Sequence, residues 1–371
     1  MSDVGEFDDA VLTEREERNA LRRVAGLSTE LTDISEVEYR QLRLEQVVLV
    51  GVWTTGTAEQ AQRSMAELAR LAETAGSQVL EGFVQRRDKP DAATFVGSGK
   101  AAELKQTVAA LGADTVICDG ELTPGQLQQL EKVLGVKVVD RTWLILDIFA
   151  QHARSREGKA QVALAQMNYM LPRLRGWGDA MSRQAGGIGT RGPGETKIET
   201  DRRRIRARIA KLRRELAAMG TAREVARASR RRSNVSSVAI VGYTNAGKSS
   251  LLNRLTRAGV LVQDELFATV DPTVRKARTP GGREFTLSDT VGFVRHLPHQ
   301  LVESFRSTIE EAAEADLLLH VVDGSSQAPA EQIAAVREVL DEVGAADVPE
   351  LIVVNKSDVA DPEVLADIRR S

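Results

Sequence analysis

Three short motifs in the second half of the chain combine the residue types that bind a nucleoside triphosphate. The first, Gly242-Tyr243-Thr244-Asn245-Ala246-Gly247-Lys248-Ser249, lies between an apolar run and a helical one. Its glycines let backbone N–H groups surround phosphate oxygens, and a helix N-terminus adds partial positive charge. In such a P-loop, Lys248 would hold the β- and γ-phosphates and the Ser249 hydroxyl would ligate Mg²⁺. A glycine-rich turn without a ligand is the alternative interpretation.

The other two motifs indicate which metal and which base are bound. In Asp289-Thr290-Val291-Gly292, a D-x-x-G motif, Asp289 would reach Mg²⁺ through water and the Gly292 N–H would meet the γ-phosphate. Asn355-Lys356-Ser357-Asp358 is an N-K-x-D motif after an apolar run. The Asp358 carboxylate accepts hydrogen bonds only, so it pairs with the N1–H and amine of guanine, whereas adenine would leave it unpaired. The motifs together predict a domain that binds GTP or GDP with Mg²⁺.

The stretch Leu266-Phe267-Ala268-Thr269-Val270-Asp271-Pro272-Thr273 is predicted to sense the γ-phosphate. Loops of this kind are ordered by the triphosphate and released on hydrolysis. Thr269 is the predicted second hydroxyl on Mg²⁺, with Thr273 as the alternative, and Lys248, Thr269 and Gly292 are the predicted catalytic residues. The predicted nucleotide-binding residues are Gly242, Tyr243, Thr244, Asn245, Ala246, Gly247, Lys248, Ser249, Phe267, Ala268, Thr269, Val270, Asp271, Asp289, Thr290, Val291, Gly292, Asn355, Lys356, Ser357 and Asp358.

The composition is that of a globular protein with two or three domains. The chain has 371 residues, of which 42% are hydrophobic, enough to bury a sizeable core. Cys118 is the only cysteine and lies in an apolar run, which predicts a buried structural thiol and suits a reducing cytoplasm. No apolar run approaches the length of a membrane span, so we expect none, and the cysteine usage predicts a cytoplasmic protein.

Charge and periodicity divide the chain into four predicted regions. These are a mobile arm (1–45), an α/β domain (46–150), a basic helical hairpin (151–234) and the GTP-binding domain (235–371). Residues 151–234 contain 21 Lys and Arg against 7 Asp and Glu, whereas the remainder contains 29 against 46. Such segregation indicates that one segment meets a polyanion. The predicted fold class is α/β, with a P-loop GTPase domain preceded by a small α/β domain and an antiparallel basic hairpin.

The hairpin prediction depends on two apolar seams at coiled-coil spacing. The seam residues are Ala160, Leu164, Met167, Leu171 and Leu174 in the first helix, and Ile198, Ile205, Ile209, Leu212, Leu216 and Met219 in the second. Basic residues outside the second seam would repel one another unless an anion lies opposite, which favours RNA phosphate contact over a merely solvated face. The predicted RNA-binding residues are Arg191, Arg202, Arg203, Arg206 and Arg213.

A glycine-rich loop from Gly176 to Gly194 is predicted to join the two helices. Side chains such as Arg173 and Trp177 could stack on bases there, while a flexible linker is an equally good interpretation. A second glycine-lysine turn, Gly97-Ser98-Gly99-Lys100, lacks the P-loop frame and is interpreted mainly as a tight turn into a helix.

This order of domains resembles the HflX family of ribosome-associated GTPases. The resemblance covers roughly residues 46–371 and depends on the Gly186–Lys197 segment and on the P-loop, switch-loop and Asp289–Phe293 motifs. It implies Mg²⁺-dependent GTP hydrolysis, binding to the large ribosomal subunit and its rRNA, and ribosome splitting, rescue or assembly under stress. It also implies a monomer without a membrane span, with peripheral membrane association as a further expectation.

Two departures from other GTPases qualify these expectations. Phe293 stands where Ras-like enzymes place a water-orienting glutamine, so we expect slow intrinsic turnover that a partner or another group raises. The chain stops 13 residues after Asp358, so we expect the GTP-binding domain to lack its last base-contacting loop and helix. The alternatives are a non-enzymatic RNA-binding ribosome assembly factor and an ATP-dependent RNA-remodelling protein that uses Lys100.

Overall fold

Two sheets, one in each half of the chain, organise the helices around them. The computed structural model describes residues 46–174, 193–232, 235–256, 265–271, 273–295 and 311–368, with positions 301, 305 and 309 in addition. Within these ranges, the side chains of residues 193–198, 221–232 and 367 are outside the description. The predicted arm, residues 1–45, also lies outside the described residues.

The first sheet has four parallel strands in the order β2-β1-β3-β4. The strands are β1 (Gln46–Trp53), β2 (Gln78–Arg86), β3 (Thr115–Asp119) and β4 (Lys137–Asp140). The helices are α1 (Ala58–Thr74), α2 (Ser98–Leu111), α3 (Pro124–Leu134) and α4 (Arg141–His152). Thr123 caps α3, accepting from the Gln126 N–H at 3.2 Å, with proline in the first turn as predicted. The α/β architecture predicted for this region is confirmed.

Alternate residues of β1 point into two different cores, as the period of a strand requires. Val47 and Leu49 belong to the cluster that contains residues of α1 and α4, whereas Val48 and Val50 belong to the cluster with α2 and α3. Cys118 lies in the second cluster, and burial raises the pKa of its thiol. It is therefore a packed structural residue.

Two further helices, α5 (Arg156–Arg173) and α6 (Pro193–Arg232), pack against each other through the predicted seam. The contributing side chains are Ala160, Ala163, Leu164, Met167 and Leu171 from α5, and Ile205, Ile209, Leu212 and Leu216 from α6. Leu174 and Met219 were predicted in the seam but are not part of this cluster, and the side chain of Ile198 is outside the description. Pro193 and Gly194, predicted as loop, are helical because proline fits a first helical turn.

The second sheet has the order β6-β7-β5-β8-β9, with β6 antiparallel to β7 and the other pairs parallel. Its strands are β5 (Ser236–Gly242), β6 (Thr273–Arg278), β7 (Glu284–Asp289), β8 (Leu317–Asp323) and β9 (Glu350–Asn355). Helices α7 (Lys248–Thr256), α8 (Pro329–Glu342) and α9 (Pro362–Ile368) accompany it. Because the strand order reverses at β5, a crevice for a ligand is expected at the carboxyl end of that strand. The edge strand β6 and helix α9 were not predicted.

Helix α4 packs its aromatic side chain Phe149 against the second half of the chain. The Phe149 ring makes edge contacts with Phe267, at 4.7 Å between ring centroids, and with Phe305, at 4.6 Å. All three side chains are at most 2% exposed. The core around α1 and α4 therefore continues into the second sheet. In the described part of the chain, no helix combines the length and apolarity needed to cross a membrane.

Candidate functional site: a nucleotide cleft at the end of the second sheet

Strand β5 brings the glycine-rich motif to the carboxyl edge of the second sheet. It ends at Gly242, and α7 begins at Lys248. A Cβ on Gly242, where φ is +146°, would lie 2.3 Å from the Val321 carbonyl oxygen. A Cβ on Gly247, where φ is +95°, would lie 2.1 Å from Asn355 Nδ2. Both positions need glycine for the turn to pass this close to β8 and β9.

Lys248 is a buried cation at the start of α7. It is 7% exposed, and its Nζ donates to the Tyr243 carbonyl oxygen at 2.8 Å. Burial lowers the pKa of Lys248 to about 8, and the nearby Asp289 carboxylate opposes that shift. Burial likewise raises the pKa of Asp289, against the attraction of Lys248. An ammonium that has lost its water gains most from an anionic partner, so phosphate oxygens would favour its charged form.

Three oxygen-bearing side chains meet beside Lys248. Ser249 Oγ lies 2.9 Å from Thr269 Oγ1 and 2.7 Å from Asp289 Oδ2, and Thr269 Oγ1 lies 3.2 Å from the same carboxylate oxygen. Asp289 is 0% exposed, and its Oδ1 has no hydrogen-bond partner among the described residues. Hydroxyl and carboxylate oxygens are the donors that Mg²⁺ prefers, so this cluster fits that ion. The alternative ligand, Thr273, begins β6 and does not line the cleft.

The D-x-x-G segment lies directly against the P-loop. Thr290 Oγ1 donates to the Ile240 carbonyl oxygen at 2.7 Å, which ties the segment to β5. A Cβ on Gly292 would lie 2.7 Å from Thr244 Cγ2 and 3.1 Å from Lys248 Nζ. Gly292 therefore keeps its backbone within reach of the group that Lys248 would hold. The neighbouring Val291 is buried.

Phe293 joins the P-loop through its backbone and the apolar core through its ring. Its N–H donates to the Gly242 carbonyl oxygen at 3.2 Å, and its own carbonyl accepts from the Thr244 N–H at 2.7 Å. The side chain is 1% exposed and lines an apolar cavity with Phe149 and Phe305. The position after D-x-x-G thus holds a buried ring with no polar group that could orient water.

The predicted switch loop divides between the cleft and helix α5. Phe267, Ala268 and Thr269 line the cleft, and Val270 is buried. Asp271 is not among the lining residues. Instead, its carboxylate accepts hydrogen bonds from the residues that open α5.

The N-K-x-D motif lies at the end of β9, beside the P-loop. Asn355 Nδ2 donates to the Ala246 carbonyl oxygen at 2.9 Å, and Lys356 Nζ pairs with Asp323 Oδ2 at 2.7 Å. Asp358 is exposed. The asparagine and the lysine therefore fix the motif in the fold and leave the carboxylate of Asp358 open to a ligand from solvent.

The P-loop, the switch loop and Gly292 line an open cleft at this edge of the sheet, and the N-K-x-D residues are not among its lining residues. Its lining residues are Asn245, Gly247, Lys248, Ser249, Ser250, Glu265, Phe267, Ala268, Thr269 and Gly292. Ser250 and Glu265 were not predicted. Glu265 immediately precedes the switch stretch, and a single acidic residue there belongs to no motif that would have marked it.

A polar network between helices α1 and α4 and the P-loop was also not predicted. The Tyr243 hydroxyl donates to Glu67, which also pairs with the buried guanidinium of Arg141. The same hydroxyl accepts from the Arg295 N–H at 2.7 Å, and the Arg295 side chain pairs with Glu331. Glu67 and Tyr243 are 176 positions apart, so no local pattern could have indicated this contact.

The arginines predicted to contact RNA differ in exposure. Exposed residues among them are Arg203, Arg206 and Arg213. The Arg202 side chain is 15% exposed, and Arg202 and Arg206 lie 4.0 Å and 3.9 Å from the carboxylate of Glu199. Arg191 lies outside the described residues. Arg173, proposed above to stack on bases, instead donates to the Leu122 carbonyl oxygen at 2.6 Å.

The second glycine-lysine turn has a different environment from the P-loop. Gly97 has φ of +88° and precedes α2, and Lys100 Nζ pairs with Glu103 one turn further along the same helix at 2.8 Å. Lys100 Nζ also lies 5.4 Å from the centre of the Phe83 ring. These contacts favour the interpretation of a turn that starts a helix.

Three family models match consecutive parts of the chain. Their descriptions are "GTP-binding GTPase N-terminal" for residues 62–150, "GTP-binding GTPase Middle Region" for 152–230 and "50S ribosome-binding GTPase" for 237–356. Among solved structures, the complex of SsGBP with GDP is 26% identical with a TM-score of 0.50, over 88% of this chain and 86% of that one. The P-loop GTPase fold is thereby confirmed.

Curated relatives match most of the chain. The GTPase HflX of Lacrimispora saccharolytica is 49% identical over 337 residues, 91% of this chain and 78% of that protein. The GTPase HflX of Escherichia coli K12 is 47% identical over 316 residues, 85% of this chain and 74% of that protein. The chain therefore belongs to the HflX family of GTPases.

Proposed function

We propose that this GTPase is a switch that binds the large ribosomal subunit, with α6 contacting rRNA and GTP hydrolysis timing release. The proposal that the protein binds and hydrolyses GTP depends on one observation, the cluster of Ser249, Thr269 and Asp289 oxygens beside buried Lys248. The ribosomal half is supported by the description "50S ribosome-binding GTPase" of the matching model and by the exposed arginines of α6.

Each side chain of the cleft has a defined task in this proposal. Lys248 holds the β- and γ-phosphate oxygens, and the P-loop N–H groups surround them. The Ser249 and Thr269 hydroxyls would hold Mg²⁺, and Asp289 would interact with the ion through water. Bound Mg²⁺ neutralises charge on the phosphates. The Gly292 N–H meets the γ-phosphate, and Asp358 accepts from the N1–H and amine of guanine.

The buried ring of Phe293 implies that the free protein hydrolyses GTP slowly. The chain offers no glutamine at that position, so the attacking water is poorly oriented until a bound partner supplies or positions another group. We propose that the large subunit is this partner. The family resemblance extends the proposal to ribosome splitting, rescue or assembly under stress, by a cytoplasmic monomer that can also associate peripherally with membranes.

The central experiment measures GTP hydrolysis with and without purified large subunits, for the parent and for Lys248→Ala. We expect stimulation of the parent and loss of both basal and stimulated turnover in the variant. If Lys248→Ala hydrolyses GTP as fast as the parent, the proposal that this cleft catalyses GTP hydrolysis is wrong. If large subunits fail to raise GTP turnover, the protein is better explained as a ribosome assembly factor in which bound nucleotide acts as a signal and hydrolysis has no role. ATP turnover lost in Lys100→Ala would favour an RNA-remodelling ATPase.

The ribosomal half is tested by cosedimentation with large subunits at increasing salt. Reversing three exposed arginines of α6 to glutamate, Arg203, Arg206 and Arg213, should abolish cosedimentation and leave GTP affinity unchanged, because phosphate contacts release counterions. A control with the same charge change reverses three exposed residues around the first sheet, Arg70, Arg86 and Lys105. If the two triple variants cosediment equally well with large subunits, α6 is not the rRNA-binding surface.

A further inference from the structure

Asp271 connects the switch loop to the first helix of the basic pair. Its Oδ2 accepts from the Arg154 and Ser155 N–H groups, each at 2.7 Å, and its Oδ1 accepts from the Ser155 hydroxyl at 2.5 Å. Ser155 is itself the N-cap of α5, since its Oγ accepts from the Gly158 N–H at 2.8 Å. The carboxylate therefore sits on the positively polarised start of α5, where an anion is favoured.

The glycine in the first turn of α5 makes room for this contact. A Cβ on Gly158 would lie 2.0 Å from Asp271 Oδ1 and 3.0 Å from its Cγ. Any side chain at this position would displace the carboxylate. Gly158 also belongs to a helix, where glycine destabilises relative to alanine, so close approach rather than helix formation explains its presence here.

Helix α5 is held to the first sheet and to α6. Near its carboxyl end, Arg173 donates to the Leu122 carbonyl oxygen at 2.6 Å, lies 3.3 Å from Asp140 Oδ2 and stacks 3.4 Å from the centre of the Tyr169 ring. Its apolar face forms the seam with α6. Helix α5 is therefore anchored at its carboxyl end, and α6 packs directly on its apolar face.

The other end of the connection is the nucleotide cleft. Thr269, two residues before Asp271, contacts Ser249 and Asp289. Phe267, two residues earlier, packs on Phe149 of α4. One five-residue stretch thus contacts the proposed Mg²⁺ ligands through Thr269, helix α4 through Phe267 and the start of α5 through Asp271.

We propose that Asp271 is a positioning residue for the GTP reaction, which sets Thr269 over the triphosphate and transmits the nucleotide state to α5 and hence to the basic helix pair. This inference rests on the proposed role of Thr269 at Mg²⁺. The inference goes beyond that role, because it assigns the residues that connect the cleft to α6. Asp271 acts through Thr269 and through the start of α5, and it does not itself touch the nucleotide.

The test uses Gly158→Ala, which displaces the Asp271 carboxylate without changing a residue of the cleft. The matched control is Gly125→Ala in the first turn of α3, where a Cβ meets no atom within 4 Å. We would measure the Mg²⁺-dependent affinities for GDP and for a non-hydrolysable GTP analogue. Gly158→Ala should reduce the preference for the analogue about tenfold, because Thr269 is misplaced, with GDP affinity within about twofold of the parent. The control should keep the parent's preference.

Hydrogen exchange of the full chain gives the second readout. In the parent, amides in the first turn of α5 should be better protected with the GTP analogue than with GDP, and this difference should vanish in Gly158→Ala and in Asp271→Asn but persist in Gly125→Ala. An unchanged preference in Gly158→Ala, or equal protection of α5 in both nucleotide states of the parent, would overturn the inference. A parent that binds neither nucleotide would instead overturn the proposed function, so the two failures are distinguishable.

Discussion

The two glycine-lysine turns of this protein have similar composition and opposite environments. At Gly97–Lys100 the lysine pairs with Glu103 on its own helix, at a separation of 2.8 Å. At Gly242–Ser249 the lysine is buried and faces Asp289, whose Oδ1 has no hydrogen-bond partner among the described residues. The first charge is already balanced, whereas the Asp289 oxygen at the second site is left for a bound ion or its water. What distinguishes a nucleotide site from a helix start is therefore this unsatisfied polarity.

The largest expected effect comes from removing each lysine in turn. Lys248→Ala should weaken GTP binding on the order of a thousandfold, since two charge-assisted hydrogen bonds to phosphate are lost at about 2 kcal/mol each. Lys100→Ala should leave GTP affinity within about twofold. Titration with a fluorescent GTP analogue checks both values, and a comparable loss in both variants would contradict the distinction between the turns.

The next effect concerns the base. An aspartate follows the edge strand of each sheet. In the first sheet Asp140, at the end of β4, caps α4, because its Oδ1 accepts from the Trp143 N–H at 2.9 Å. In the second sheet Asp358, after β9, is exposed. Asp358→Asn should lower GTP affinity about a hundredfold and raise affinity for xanthosine triphosphate, whose 2-oxo group accepts from the new amide. Competition binding measures this exchange, and unchanged selectivity would remove Asp358 from the base site.

A smaller effect follows from the depressed pKa of Lys248. GTP requires the ammonium form, and in the free protein that form is lost as pH rises through about 8. Affinity for GTP should therefore fall about tenfold between pH 7 and pH 9. Lys100→Ala should keep this pH dependence, whereas Lys248→Arg should flatten it at a lower overall affinity. A pH-independent affinity in the parent would show that burial does not perturb this lysine.

The smallest effect is on stability without nucleotide. The pKa of Lys248 is lower in the folded state, so the unfolded chain binds more protons between about pH 8 and its ordinary value of 10.5. The free energy of unfolding should therefore increase with pH, by about 1 kcal/mol between pH 7 and pH 9 from this residue. Denaturant titration of the parent against Lys248→Met measures this contribution, which the variant lacks. A contribution of the opposite sign would contradict the assignment.

The sequence was sufficient to predict the α/β fold because its strands are apolar runs and its turns carry strong local signals, such as Thr123-Pro124 before α3. The P-loop, D-x-x-G and N-K-x-D segments were predictable as neighbours because each follows a strand of one parallel sheet. The roles assigned to their residues stay predictions until the experiments above are done.

Other features had no local signal. Strand β6 was missed because Arg275, Lys276 and Arg278 place charge on an edge strand, of which Ala277 alone is buried. The contacts of Asp271 with Ser155 and of Tyr243 with Glu67 join residues 116 and 176 positions apart. Such pairs are decided by tertiary packing, and neither periodicity nor motif spacing contains that information.

The placement of Phe149 has a practical consequence for dissecting this protein. Its ring supplies the wall against which Phe267 and Phe305 rest, although it belongs to a helix of the other half. A GTPase domain excised at residue 235 would leave these two rings facing water, which encourages self-association and lets the neighbouring loops relax. Rates measured on such a fragment would describe an altered catalyst, so enzymology of this protein calls for both halves in one polypeptide.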